Sequence, residues 1–219
     1  MSPTDPIDLL RGKFHAGDHL SATTTRNGKI VGFGESQGRG RAASGDADDS
    51  GTVTITLAGT APRGEEGTIQ ACQRLVAYLN AQGESWDEPS EITGVQHIDA
   101  IADGITSSAG ETLKIQVVRA LTDPSFWQSI GHNGNATLTL SLSECADILK
   151  MAIEFKAGKI PPEIRADIAL ALDANDLPGL ALDPVVEQFV LRHSQWAHTQ
   201  GFRGIWLVGP WKEMVNHLG

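Results

Sequence analysis

The stretch Ile168-Ala-Leu-Ala-Leu172 constrains the fold of this chain more than any other. It is almost wholly apolar, whereas a strand with one solvated face alternates apolar and polar residues. Such a run is typical of a strand covered on both faces, as in parallel sheets with helices on either side. Helical and strand patterns alternate along the chain from residue 66 onward, which fits that arrangement. We therefore predict an α/β fold with a mixed central sheet flanked by helices.

Apolar spacing along the rest of the chain predicts the elements that surround that strand. Ser141 and Glu144 fit a capping box at the start of a helix, and Asp183 followed by Pro184 predicts the start of another. The predicted helices cover about 66–82, 142–157, 184–199 and 211–218, with a short one opening at 123–127. The predicted strands cover 52–57, 95–102, 113–120, 136–140, 168–172 and 202–208.

We expect residues 1–64 to form an arm, a β-hairpin and a flexible loop packed on an α/β core of residues 65–219, within a single domain. Asn27-Gly28 predicts a two-residue hairpin turn, since both turn residues need positive φ. Residues 35–51 contain no large apolar side chain, which predicts a flexible polar loop. Gly34-Glu-Ser36-Gln-Gly38 matches the letters of a nucleophile elbow, but the polar segment after it does not suit the helix that an elbow needs.

Charge and hydropathy exclude several classes of function. The 219 residues carry 17 Lys and Arg against 27 Asp and Glu, a net charge of -10. Any nucleic-acid contact must therefore use a local basic patch. No apolar run approaches the ~18–20 residues of a membrane-spanning helix, and the first residues lack a signal-peptide pattern. Cys72 and Cys145 fall at apolar helix positions, which is typical of reduced core thiols and predicts a cytoplasmic protein.

The histidines give weak signals. His15 and His19 have the spacing of a metal-ligand pair, but outside an evident helix that spacing is common by chance. His193 and His198 lie five apart on a predicted helix and so point in different directions. We assign no metal to the first pair and interpret the second as ordinary core or surface residues.

Polar side chains inside apolar elements mark the candidate site. Lys114 and Gln116 share one face of the strand predicted at 113–120, and a buried amide there must find hydrogen-bond partners. Lys156 falls on the apolar stripe of the 142–157 helix, so its ammonium group must reach a carboxylate or the rim of the sheet. A lysine that extends its stem to solvent is the simpler interpretation, and a catalytic or anion-binding lysine near Asp99 is the alternative.

This order of elements resembles the core of the PD-(D/E)XK restriction-endonuclease-like superfamily over about residues 65–173. By the resemblance, Asp99 of Ile98-Asp99 corresponds to the aspartate of the Pro-Asp element. Lys114-Ile115-Gln116 takes the place of the (D/E)-x-K element. The resemblance implies Mg²⁺ held between two carboxylates, where it would activate a water molecule for attack on a phosphodiester. It also implies a lysine that orients or deprotonates that water.

The sequence departs from the superfamily pattern at both ends of the second element. Lys114 stands where a metal-binding carboxylate is expected, and Gln116 stands where the lysine is expected. Lys156 fits the lysine that some members carry on the following helix, and Glu111 or Asp103 could replace the missing carboxylate. The resemblance thus implies a site of Asp99, Lys114, Gln116 and Lys156, with Asp99 and Glu111 as metal ligands.

Loss of one carboxylate should weaken the binding of a hard cation. We therefore expect a degenerate nuclease-fold protein that acts in binding or assembly, with nucleic acid, another protein or a second copy as partner. An Mg²⁺-dependent phosphodiester hydrolase that uses Asp99 and Lys156 is the alternative, and an unrelated α/β protein is a further one. Only the hydrolase requires a metal beside Asp99.

Overall fold

The computed structural model of the chain describes residues 19–37, 41–59, 64–105 and 110–219. Across those ranges the protein forms two β-sheets and five α-helices, so the α/β class predicted from the sequence is confirmed. The structure contains the predicted mixed sheet and the N-terminal hairpin, but the expectation of one sheet is wrong, because the hairpin belongs to a separate sheet.

The first sheet is antiparallel, with the strand order β1-β2-β3-β4-β8. Its strands are β1 (His19–Arg26), β2 (Lys29–Gln37), β3 (Arg41–Ala47), β4 (Thr52–Ala58) and β8 (Asn135–Ser141). The turn predicted at Asn27-Gly28 is confirmed, with φ values of 52° and 77°. Because β8 pairs with β4, a strand from beyond residue 65 completes the sheet that the N-terminal residues begin.

The prediction of a flexible loop over 35–51 is wrong for most of that segment. Residues 35–37 continue β2 and residues 41–47 form β3, while 38–40 lie outside the described ranges. The residues of β3 are small because this part of the sheet packs directly on backbone. A Cβ atom on Gly45 would lie only 2.2 Å from the Cα of Gly179.

The Gly-x-Ser-x-Gly match does not form a nucleophile elbow within the described residues. Gly34 and Ser36 lie in the extended strand β2, opposite Ser44 and Ala42 of β3. An elbow needs a sharp turn from a strand into a helix at the serine, and the chain continues as a strand there.

The second sheet is mixed, with the strand order β11-β10-β9-β7-β6-β5. Its strands are β5 (Ser90–Glu91), β6 (Ala100–Asp103), β7 (Thr112–Arg119), β9 (Ile168–Asp173), β10 (Gly204–Val208) and β11 (Val215–His217). β7, β9 and β10 run parallel, and the other pairs are antiparallel. The buried central strand predicted at 168–172 is confirmed, since these residues lie in β9 and are all buried.

The helices are α1 (Gly64–Ala81), α2 (Pro124–Asn133), α3 (Leu142–Ala157), α4 (Pro162–Arg165) and α5 (Asp183–His198). The capping box at Ser141 and Glu144 is confirmed. α1 packs on one face of the second sheet. α3 and α5 share a single hydrophobic cluster with the other face and with the inner face of the first sheet, so the two sheets enclose a common core.

Three predicted details of the secondary structure are wrong: the start of one strand, a helix at the end of the sequence and one helix cap. Residues 95–99 are irregular, with a turn at Gln96 and His97, and the strand begins only at Ala100. The predicted terminal helix is a 3-10 turn at Lys212–Met214 followed by β11, because Val215 pairs with Val208 at the edge of the sheet. Asp183 caps no helix: its carboxylate accepts a hydrogen bond from the Ile30 N–H at 2.6 Å and so ties α5 to β2.

Both cysteines are core residues, as predicted. Cys72 and Cys145 are buried and form no disulfide. Burial raises the pKa of each thiol to about 12, which makes both poor nucleophiles. Within the described ranges, no helix combines the length and the apolar character needed to cross a bilayer.

A contact between α3 and α5 makes the stability of the fold depend on pH. Asp147 accepts a hydrogen bond from Arg192 at 3.2 Å and contacts the His193 ring at 2.7 Å. Burial raises the pKa of Asp147, but the His193 and Arg192 contacts outweigh burial and the net pKa is lowered. A carboxylate with a lowered folded-state pKa stabilises the fold above its unfolded pKa, and that contribution is lost as the pH falls through the folded value.

We therefore expect the urea midpoint of the protein to fall as the pH drops below about 4, and Asp147→Asn to remove part of that fall. The measurement is a set of urea melts of both proteins between pH 6 and pH 2. Parallel pH profiles for the two proteins would show that Asp147 does not contribute to acid sensitivity.

Candidate functional site

Asp99 and Gln116 meet where β6 begins beside the middle of β7. The Asp99 backbone N–H donates to the Ile115 carbonyl at 2.8 Å, which sets the Asp99 side chain next to Gln116. The Asp99 Oδ2 atom accepts hydrogen bonds from the Gln116 amide and from the Val117 backbone N–H, the latter at 2.6 Å. Gln116 is only 3% exposed. The amide that was predicted to need a partner therefore finds one in Asp99.

Lys156 lies in the last turn of α3 and is half-buried. Burial lowers the pKa of Lys156, and the Asp99 carboxylate lies near enough to oppose that effect, while the charge of Lys159 adds to it. None of the described carboxylates forms an ion pair with the Lys156 ammonium group. Asp99 and Gln116 are thus in direct contact, and the charge of Asp99 acts on Lys156 without an ion pair between them.

Lys114 and Glu111 lie elsewhere, at the amino end of β7. Lys114 pairs with Asp167 at 3.1 Å. Together with Glu111 and Arg203 they line an open cavity of about 490 Å³. Glu111 stands five positions before Gln116, roughly 16 Å along an extended strand. The structure therefore does not join Lys114 or Glu111 to Asp99.

The residues around Asp99 do not fit an Mg²⁺ site of the kind that the resemblance implies. That site needs two carboxylates, and one oxygen of Asp99 is already engaged by two N–H donors. Asp103, the other candidate, accepts a hydrogen bond from the Thr112 hydroxyl at 3.0 Å at the far end of β6. In the described part of the chain, no group of three or more His, Cys, Asp or Glu is placed to hold a metal ion.

A second crevice, of about 150 Å³, lies at the carboxyl ends of β7 and β9, and no sequence pattern predicted it. Its polar lining comprises Thr68, Arg119, Asp173, Asn175 and Asp176. Asn175 is 8% exposed, and its backbone N–H donates to the Asp173 carboxylate at 2.9 Å. Ligand crevices in α/β proteins commonly lie at carboxyl ends of strands. That rule could have indicated the location, though not the residues that line it.

An exposed aromatic side chain at the end of α3 was also missed by the sequence analysis. Phe155 is 47% exposed, and the Lys159 Nζ atom lies 3.8 Å from the centre of its ring. Lys156 directly follows Phe155 in the chain and stands three positions before Lys159. We call Phe155, Lys156 and Lys159 the α3-end surface. The sequence does carry a signal for this surface, because Phe155 is an aromatic residue that lies off the apolar stripe of its helix.

The chain gives no match to a protein-family model, to a curated protein or to a solved structure. By themselves, the fold and the site define a two-sheet α/β protein with a carboxylate–amide pair at Asp99 and Gln116 and a half-buried lysine nearby.

Proposed function

We propose that this protein binds single-stranded nucleic acid without cleaving it, on a core that resembles a nuclease fold. The hydrogen bonding of Asp99 carries this proposal. The Gln116 and Val117 donors engage one of its two carboxylate oxygens, Oδ2, and the candidate second ligands, Asp103 and Glu111, lie at the other end of their strands. A hard cation held by a single carboxylate binds weakly.

The connection of elements supports the nuclease-like core. α1 is followed by the antiparallel pair β6–β7, then by α3, and then by β9, which is parallel to β7. This is the order that the resemblance implies over 65–173. α2 and β8, which stand between β7 and α3, are additions to it, and β8 pairs with the first sheet.

The α3-end surface has the chemistry that a flexible nucleic-acid strand requires. An exposed ring such as Phe155 offers a face on which a base can stack, whatever its identity. Lys159 places its ammonium group beside that ring, where it can contact a phosphate next to the stacked base. Because the protein carries a net charge of -10, it repels a nucleic-acid strand as a whole, and binding must use a local basic patch such as this surface.

We expect the full chain to bind a fluorescently labelled single-stranded oligonucleotide at low salt, and Phe155→Ala to weaken binding about 5- to 150-fold, as loss of one stacked base implies. Lys159→Ala should weaken binding and reduce its salt dependence, because one released counterion is lost. Fluorescence anisotropy over a salt series measures both effects, and gel electrophoresis of the same samples with Mg²⁺ added should show intact oligonucleotide.

Met151 provides the matched control, since it lies on the same helix, is 52% exposed and has no aromatic ring. Met151→Ala should bind as the unchanged protein does. The proposal fails if no oligonucleotide binds at low salt, if Phe155→Ala and Met151→Ala behave alike, or if the oligonucleotide is cleaved.

A metal-dependent phosphodiester hydrolase is the second candidate, and the environment of Lys156 favours it. Burial lowers the pKa of this amine and thereby eases its use as a general base beside Asp99. If this candidate is correct, Lys156→Met abolishes a cleavage activity that requires Mg²⁺ or Mn²⁺. Lys150→Met is the control, because Lys150 lies on the same helix and pairs with Glu154 at 2.9 Å.

A further inference from the structure

Two histidines that are far apart in sequence meet at the end of α5. His198 is the last residue of α5, and His217 lies on the edge strand β11. Their ring centroids are 6.3 Å apart with the rings tilted by 57°. His217 also lies against the Trp206 ring, at 5.2 Å between centroids, which limits the positions its imidazole can take.

The nitrogens of both rings are without hydrogen-bond partners among the described residues. Ring contacts alone engage these two imidazoles. The contrast is His193 on the same helix, whose Nε2 atom contacts Asp147 at 2.7 Å. Two neighbouring imidazoles with unengaged nitrogens form a typical ligand set for a borderline transition-metal ion.

The rings lie close enough to share a metal ion after a small side-chain movement. With metal–nitrogen distances of about 2.0–2.1 Å and a tetrahedral angle, two imidazoles on one ion have ring centroids roughly 5 Å apart. The observed separation of 6.3 Å is longer by about 1 Å, and His198, which is exposed at the end of α5, can close that gap by rotation of its side chain. Two protein ligands leave the remaining coordination positions to water, so the site would be an exchangeable one rather than a closed structural centre.

We propose that His198 and His217 form a binding site for a borderline divalent metal ion such as Zn²⁺. The bound ion links the end of α5 to β11 at the edge of the second sheet. This segment is already held to β10, because the Leu218 N–H donates to the Ile205 carbonyl at 2.7 Å. The ion therefore adds a cross-link to an ordered site, and its binding stabilises the folded state. The site is independent of Asp99 and of the α3-end surface.

Isothermal titration of the full chain with Zn²⁺ tests the proposal, together with thermal melts at a hundredfold excess of Zn²⁺ over its dissociation constant. We expect a rise in melting temperature of roughly 5–10 °C. His198→Ala and His217→Ala should each weaken Zn²⁺ binding at least tenfold and remove most of that rise. His198 is exposed at a helix end, so His198→Ala is expected to fold normally.

Two controls separate this site from other histidines. His132 is an exposed histidine of α2 that contacts the Gln128 carbonyl at 2.8 Å. The His132→Ala protein should bind Zn²⁺ as the unchanged protein does. A double variant, His15→Ala with His19→Ala, removes the pair noted near the N-terminus and should also bind normally. The proposal is overturned if the unchanged protein shows no Zn²⁺-dependent rise, or if His198→Ala and His217→Ala bind as it does.

Discussion

Replacement of Gly45 by alanine is expected to lower the free energy of unfolding by about 3 kcal/mol, at the upper end of the range for overpacked sites. The added Cβ would lie 2.2 Å from the Gly179 Cα and 2.3 Å from the Gly179 backbone nitrogen. No side-chain rotation relieves such a contact, because both partners are backbone atoms. Relief requires the first sheet to separate from the 3-10 turn at Pro178–Ala181. Urea melts monitored by circular dichroism measure the loss.

Gly131 is the matched control for this substitution. It lies within α2, and a Cβ there would meet no atom within 4 Å. Gly131→Ala should leave stability unchanged or raise it by up to about 1 kcal/mol, because alanine favours the helix. If Gly45→Ala also proves neutral, then β3 does not pack on Gly179 as the structure describes.

Leu170→Ala is expected to cost about 2–5 kcal/mol in the free energy of unfolding, because the truncated side chain leaves a cavity that a close-packed core cannot fill. Leu170 is fully buried on β9, between β7 and β10. Leu191 on α5, which is 81% exposed, provides the control, and Leu191→Ala should change stability by less than about 0.5 kcal/mol. A loss below about 1 kcal/mol for Leu170→Ala in a urea melt would contradict the central position of β9.

The parts of the fold that were predicted correctly have local and unambiguous signals. β9 is a run of apolar residues, which suits only a strand covered on both faces. α3 combines an apolar stripe with a capping box that defines where the helix begins. Patterns of this kind are visible in the residues of the segment alone, so they can be interpreted without knowing which other elements pack against it.

β3 could not be predicted because its signal depends on a distant segment. Its inward residues Ala43, Gly45 and Ala47 are small, since the backbone near Gly179 takes the space that larger side chains would fill. By composition alone, such a strand has the polar, glycine-rich character of a loop. The prediction of a single sheet was wrong for the same reason, because without β3 nothing joins the β1–β2 hairpin to the β4–β8 pair in a separate sheet.

Only part of the candidate site could be predicted from the sequence, because strand register is not encoded locally. The polarity of Gln116 within an apolar strand indicated a buried partner, and Asp99 is that partner. Lys114 lies two positions earlier on the same face, about 7 Å along the strand from Gln116. There it pairs with Asp167 and not with Asp99. Phe155 was missed because the exposure of one aromatic residue depends on where the neighbouring elements end.

Diffraction from a crystal soaked in Mn²⁺ decides whether Asp99 holds a metal ion, because anomalous scattering locates the ion without any assumption about activity. We expect no anomalous peak at Asp99, because Gln116 and Val117 engage its Oδ2 atom and the candidate second ligands, Asp103 and Glu111, lie at the other end of their strands. A peak within about 2.0–2.6 Å of an Asp99 carboxylate oxygen, the usual range for a hard cation, would contradict the claim that this core has lost its metal chemistry.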